Sequence, residues 1–169
     1  MKNGMKLLIK TSTILMLFAL TFSCQSVNNS RTADNGSYYR VTKVVDGDTF
    51  WANNGMDKDV KIRLIGIDAP ETRKTGRKEI GYYGEEAKAY LMNLLSGKSV
   101  RLVGDVDSLD RYGRTLAYVY LQDGKFVNAE MIKRGYAVVM TIPPNIKHVD
   151  LLQKLQVKAR ADKKGLWNR

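Results

Sequence analysis

The chain has 169 residues, of which 44% are hydrophobic and 27% charged, with 28 Lys and Arg against 17 Asp and Glu for a formal net charge of +11. This balance excludes a disordered polyelectrolyte and suits one globular domain with a real core, and the single cysteine excludes an internal disulfide. The basic excess is either a solvated surface or a surface for a polyanion, and charge alone does not separate nucleic acid from anionic lipid.

The N-terminus places Lys2, Lys6 and Lys10 before an apolar run through Ile14–Leu20, the layout of a secretory leader over residues 1–23. That run is shorter than the ~20 apolar residues a membrane span needs. Cys24 follows it directly. Leu20-Thr21-Phe22-Ser23-Cys24 resembles a bacterial lipobox with Leu20 one position further out than usual, so Cys24 is read as a lipidation site, with plain secretion as the alternative. Residues 24–37, rich in Asn, Ser and Thr, read as a polar tether to a folded domain over 38–169. The leader holds three lysines and no acid, so the mature chain keeps 25 basic and 17 acidic residues, net +8.

Tyr38–Val45, Thr49–Ala52 and Lys58–Ile67 read as three successive strands, with Asp46-Gly47 as the first turn and Asn53-Asn54-Gly55 as the second. Gly47 is expected to supply the positive φ of a tight turn. Val60, Ile62 and Leu64 alternate with Lys61 and Arg63, and Pro70 stops the run. If these strands are antiparallel neighbours, Asp48 and the segment Asp68–Glu71 meet at one rim beside Arg63. Carboxylates that close repel and raise one another's pKa, so a cation is expected among them. Oxygen ligands without nearby His or Cys favour Ca²⁺ or Mg²⁺ over zinc.

The basic run Arg73–Lys78 is either a solvated loop or a flap that closes over a polyanion. From Gly84 the period changes: Ala87, Tyr90, Leu91, Leu94 and Leu95 predict a helix, with Glu85 and Glu86 in its first turn and Gly97 as its stop. Ser99–Val103 and Thr115–Leu121 follow as strands, then a short helix over Phe126–Gly135 and a last one over Val149–Lys164, with Trp167 beyond it read as a core anchor rather than a stacking platform because it follows a helix stop. In Asp110-Arg111-Tyr112-Gly113-Arg114, the arginines form either a charged hairpin or a bidentate phosphate grip, and Tyr112 either stacks on a base or covers apolar surface. His148 is not expected to be catalytic, since carboxylates are placed for acid–base work. Five strands with a helix after the third and helices at the end predict an α+β fold, a five-stranded OB-fold β-barrel with three α-helices.

From about Tyr38 to Trp167 the chain resembles the staphylococcal nuclease (thermonuclease) family. The resemblance is carried by Val45–Thr49, Arg63-Leu64 with Asp68–Thr72, Tyr83–Ala87, Asp110–Arg114, Leu116–Tyr120 and Leu166-Trp167. It implies a Ca²⁺-dependent endonuclease that hydrolyses DNA and RNA, preferring single-stranded or locally open substrate. By position it implies that Asp48, Asp68 and the main-chain carbonyl of Ala69 bind calcium, with Asp46 in support near its water shell. Glu71 activates or orients the attacking water, and Arg63 and Arg114 bind phosphate. Arg111 and Tyr112 are further substrate contacts. The chain departs from the family after the second helix, where Val139–Pro143 stands in place of a pair of substrate-contact tyrosines. The competing readings are a catalytically silent nucleic-acid-binding module, which should have lost acids or arginines from this set, and a basic envelope protein. No feature demands a partner subunit, so a monomer is expected.

Overall fold

The computed structural model describes residues 37–55, 58–74 and 80–168. The expected leader, Cys24, the tether up to residue 36 and residues 75–78 of the basic run lie outside the described residues. Strands β1 (Tyr38–Asp46), β2 (Thr49–Asn53), β3 (Val60–Leu64), β5 (Ser99–Val103) and β6 (Thr115–Leu121) form a closed barrel in the order β1-β2-β3-β6-β5. Two short strands, β4 (Ile67–Asp68) and β7 (Val138–Val139), pair separately. The helices are α1 (Gly84–Leu95), α2 (Val127–Lys133) and α3 (Val149–Ala161), followed by a 3₁₀ turn at Gly165–Trp167. The expected α+β barrel of OB type with three helices is therefore the fold.

The alternating side chains of β2 and β3 explain the closure. Phe50, Ala52, Ile62 and Leu64 are all essentially buried, so one face of each strand turns inward and the sheet curls around them. Each large apolar side chain so buried contributes about 1.5–3 kcal/mol. β2 runs antiparallel to β3 with Thr49 opposite Arg63, whereas β3 and β6 are parallel with Ile62 opposite Thr115. That parallel seam brings Arg63 and Arg114 to the same end of the barrel. α1 packs Ala87, Leu91 and Leu95 inward, and Gly97, with φ 68°, ends it as expected.

The structure refines two expectations. The strand expected over Lys58–Ile67 breaks at Ile65-Gly66, because Gly66 takes φ 80°, and β4 leaves the barrel to pair with β7. Gly47 does not take a positive φ. Glycine is required there by space: a Cβ would lie 2.6 Å from Ala69 Cβ and 2.9 Å from Ala87 Cβ.

Candidate active site

The site begins at the β1–β2 turn. Two register shifts in β1, the second between Val44 and Asp46, twist the strand as it approaches the turn. Asp46 Oδ1 accepts the Asp48 amide at 3.2 Å, and the close approach of Gly47 to Ala69 presses the turn onto the chain after β4. Asp48 is only 5% exposed. Its carbonyl accepts Leu64 N–H at 2.9 Å, Oδ1 accepts the Thr49 hydroxyl at 2.9 Å, and Oδ2 accepts Ala69 N–H at 2.7 Å. The carboxylate is thus fixed by Thr49 and Ala69, and the main chain behind it by Leu64.

Arg63 projects from β3 between two acids. Its Nη1 lies 2.5 Å from Asp48 Oδ2 and its Nη2 donates to Asp68 Oδ1 at 2.7 Å. The Nη1 hydrogens are not directed at an acceptor, so the first contact is an ion pair rather than an aligned hydrogen bond. Burial pushes the Asp48 carboxyl up to about 7, with the Asp46 charge adding to it, while Arg63 and the Ala69 amide pull the other way. The protein alone therefore under-compensates this carboxylate, and a further positive charge beside it is the natural complement.

Among the described residues, no group of three or more His, Cys, Asp or Glu side chains is gathered to hold a metal. An ion at Asp48 and Asp68 would need main-chain or water oxygens to complete its shell, which suits a hard cation. The adjoining segment is tightly held. Gly81 N–H donates to Glu71 O at 2.9 Å, and a Cβ at Gly84 would collide with that same carbonyl.

Arg114 stands opposite, at the start of β6. Asp110 closes its turn: one oxygen accepts the amides of Tyr112 at 2.8 Å and Arg114 at 3.0 Å, and the other accepts Arg114 Nε at 2.6 Å. Burial works against the Asp110 charge, but these N–H donors and the guanidinium hold its carboxyl below the usual range. Tyr112 is 68% exposed and lies under two guanidiniums, Arg111 at 4.8 Å and Arg114 at 5.4 Å from its ring centre. Arg111 also donates to the Tyr112 hydroxyl at 2.7 Å.

A cleft of about 620 Å³ collects these groups. Asp46, Asp48, Arg63, Asp68, Ala69, Glu71, Arg111, Tyr112 and Arg114 all line it. His148 does not: it packs edge-on against Tyr118 at 4.5 Å, and burial with the nearby Lys147 charge lowers its pKa. Trp167 is partly buried, with Arg160 over its ring at 4.3 Å.

Another wall of the cleft is formed by Leu109, Met140, Ile142, Pro143 and Asn145, of which the sequence marked only the Val139–Pro143 stretch, as a departure from the family, and missed Leu109 and Asn145. Asn145 ties that wall down, its side chain accepting Asp107 N–H at 2.8 Å and donating to Asp107 O at 3.0 Å. Neither periodicity nor charge marks an asparagine whose partner lies 38 residues away. The turn Asp110–Arg114 did contain the signal for Asp110, since Asp at the start of a turn accepts amides two residues on.

Comparison with known proteins adds an independent line. The family model described as "Staphylococcal nuclease homologue" matches residues 61–169. The chain is 34% identical to a thermonuclease of Staphylococcus intermedius over 163 residues, covering 96% of this chain and 95% of the relative. It is 34% identical to a thermonuclease of Staphylococcus hyicus over 169 residues, covering 98% and 96%. An uncharacterised endonuclease of Haemophilus influenzae is 33% identical over 159 residues, covering 94% of this chain and 78% of that protein.

Proposed function

Because the chain belongs to the staphylococcal nuclease family and is a nuclease acting on phosphodiester bonds, we propose that it is a Ca²⁺-dependent endonuclease cutting DNA and RNA at this cleft. The observation that carries the reading is the convergence of Asp48, Arg63, Asp68, Glu71 and Arg114, from separate strands and loops, on one cavity. A binding-only module would not need to keep this set together.

Asp48, Asp68 and the Ala69 carbonyl are the proposed calcium ligands, with Asp46 supporting the ion's water shell. The ion, when bound, supplies positive charge against the phosphate oxygens. Arg63 and Arg114 grip the phosphate from opposite walls, and their guanidiniums stay charged at every working pH. Glu71 orients a water and takes its proton as the oxygen attacks phosphorus in line. One P–O bond forms, the opposite one breaks, and the leaving alkoxide takes a proton from solvent. No covalent enzyme intermediate is required. Arg111 and Tyr112 hold the strand beyond the phosphate.

We further propose that residues 1–23 direct export, that Cys24 carries a lipid anchor to the cell envelope, that residues 24–37 tether the domain, and that the domain works as a monomer. Mass spectrometry of the mature N-terminus should give a diacyl or triacyl Cys24; an unmodified terminus elsewhere rejects the anchor. For the activity, the test is incubation with single-stranded DNA and with RNA in Ca²⁺, in Mg²⁺ and in chelator. Cleavage of both polymers in Ca²⁺ and its loss in chelator are expected. Binding without calcium-dependent cleavage would instead support the silent module.

A further inference from the structure

The cleft described above does not absorb a row of four tyrosines beside it. Tyr82 and Tyr83 have ring centres 5.7 Å apart, Tyr83 stacks on Tyr136 at 5.5 Å, and Tyr136 stacks on Tyr90 at 4.3 Å. Tyr83 takes φ 69°, an uncommon backbone conformation for a bulky residue. The strain is local to the junction where Gly84 packs on the Glu71 carbonyl. Among the described residues, Tyr82, 50% exposed, is the outermost ring of this row, with Tyr83, Tyr136 and Tyr90 in turn behind it.

The position of this row relates it to the cleft. Gly81 N–H, one residue before Tyr82, donates to the carbonyl of Glu71, and Tyr136 lies two residues before Val138, which pairs with Asp68. Tyr82 itself does not line the cleft. It stands beyond the Glu71 side, while Tyr112, 68% exposed, stands on the Arg114 side. One exposed tyrosine thus belongs to the segment tied to Glu71 and another to the turn that carries Arg114.

Charge sets how a strand would cross Tyr82. Arg73 and Lys74, both exposed, follow Glu71 at the base of the same tied loop. Glu85 and Glu86, also exposed, sit in the first turn of α1, directly after Tyr82-Tyr83-Gly84. Phosphates belong on the Arg73 side and are repelled from the helix, which leaves a base to face the ring.

We propose that Tyr82, braced by Tyr83, Tyr136 and Tyr90, is a base-stacking platform for a nucleotide of the substrate strand lying beyond the scissile phosphate on the Glu71 side. This deepens the nuclease reading and rests on it. Stacking needs an unpaired base, so the platform favours single-stranded or opened substrate.

The test uses the full chain carrying Glu71→Gln in Ca²⁺, titrated with fluorescein-labelled single-stranded oligonucleotides of 4 and 12 nucleotides. Adding Tyr82→Ala should weaken 12-mer binding about fivefold or more and shift the 4-mer less than about twofold, whereas Tyr82→Phe should retain 12-mer affinity. A scan of 2-aminopurine along the 12-mer, with Tyr82 intact, should find one position quenched on binding. Unchanged 12-mer affinity in Tyr82→Ala, equal loss for both lengths, or no quenched position would overturn the platform and leave the ring to a protein partner or to structure. Failure of every oligonucleotide to bind would overturn the nuclease reading as well.

Discussion

Asp48 and Arg63 are a charge pair in which neither member is satisfied by the other alone. The carboxylate is buried and raised to about 7, and the guanidinium divides itself between Asp48 and Asp68. Removing the arginine leaves two acids facing each other and takes one grip from the phosphate. Arg63→Ala should therefore lower kcat/KM by roughly 10²- to 10³-fold, measured on a short DNA substrate. Gly47 belongs to the same account. Gly47→Ala should cost about 1–3 kcal/mol in denaturant unfolding, since its methyl must displace Ala69 or Ala87. Activity should fall with it, because Ala69 carries a proposed metal-binding carbonyl. The acids and arginines of the site were legible in the sequence because each sits in a short motif of unusual residue types. The steric reason for Gly47 was not, since the residues it would strike are 22 and 40 positions away and meet it only in the fold.

At the scale of elements, two asparagines hold the pieces that carry the site. Asn128, wholly buried in α2, accepts Val119 N–H at 2.9 Å and donates to Ile65 O at 2.8 Å, joining the helix to β6 and to the break after β3. Asn128→Ala strands those backbone groups in the core at about 1–3 kcal/mol for each left unpaired. Thermal unfolding should show a lower Tm with the fold otherwise intact. Asn145 acts on the cleft wall instead, so Asn145→Ala should raise KM more than it lowers kcat. The five barrel strands and three helices were readable from period and from Gly stops. β4 and β7 were not. Two residues each are too few to show a period, and their pairing exists because Gly66 turns the chain out of the barrel.

At the scale of the whole molecule, several titratable groups tie stability to pH. Outside the cleft lining, His148 is half-buried against Tyr118 and Phe126, and its folded pKa lies below the ordinary 6.5. The unfolded chain then binds more protons, so this contribution to stability is full above about pH 6.5 and is lost as pH falls. Asp105 and Asp110 are held below 3.8, burial being outweighed by their N–H, hydroxyl and guanidinium partners, and their contribution is lost at still lower pH. Asp48, raised to about 7, works the other way, gaining stability as pH falls below 7. The His148 share is therefore read by difference: the change in Tm between pH 7 and pH 5 should be less unfavourable in His148→Gln than in the unmodified protein. Within the cleft, acids and arginines from four segments meet. That their convergence makes an active site is tested by initial rates of single-stranded DNA cleavage in Ca²⁺ for Arg63→Ala, Glu71→Gln and Arg114→Ala, each checked for folding, beside His148→Gln outside the cleft lining. Losses of roughly 10²-fold or more are expected in the first three and a rate within about twofold of the unmodified protein in the last. Full activity in any of the three cleft variants, or none in the unmodified chain, would contradict it.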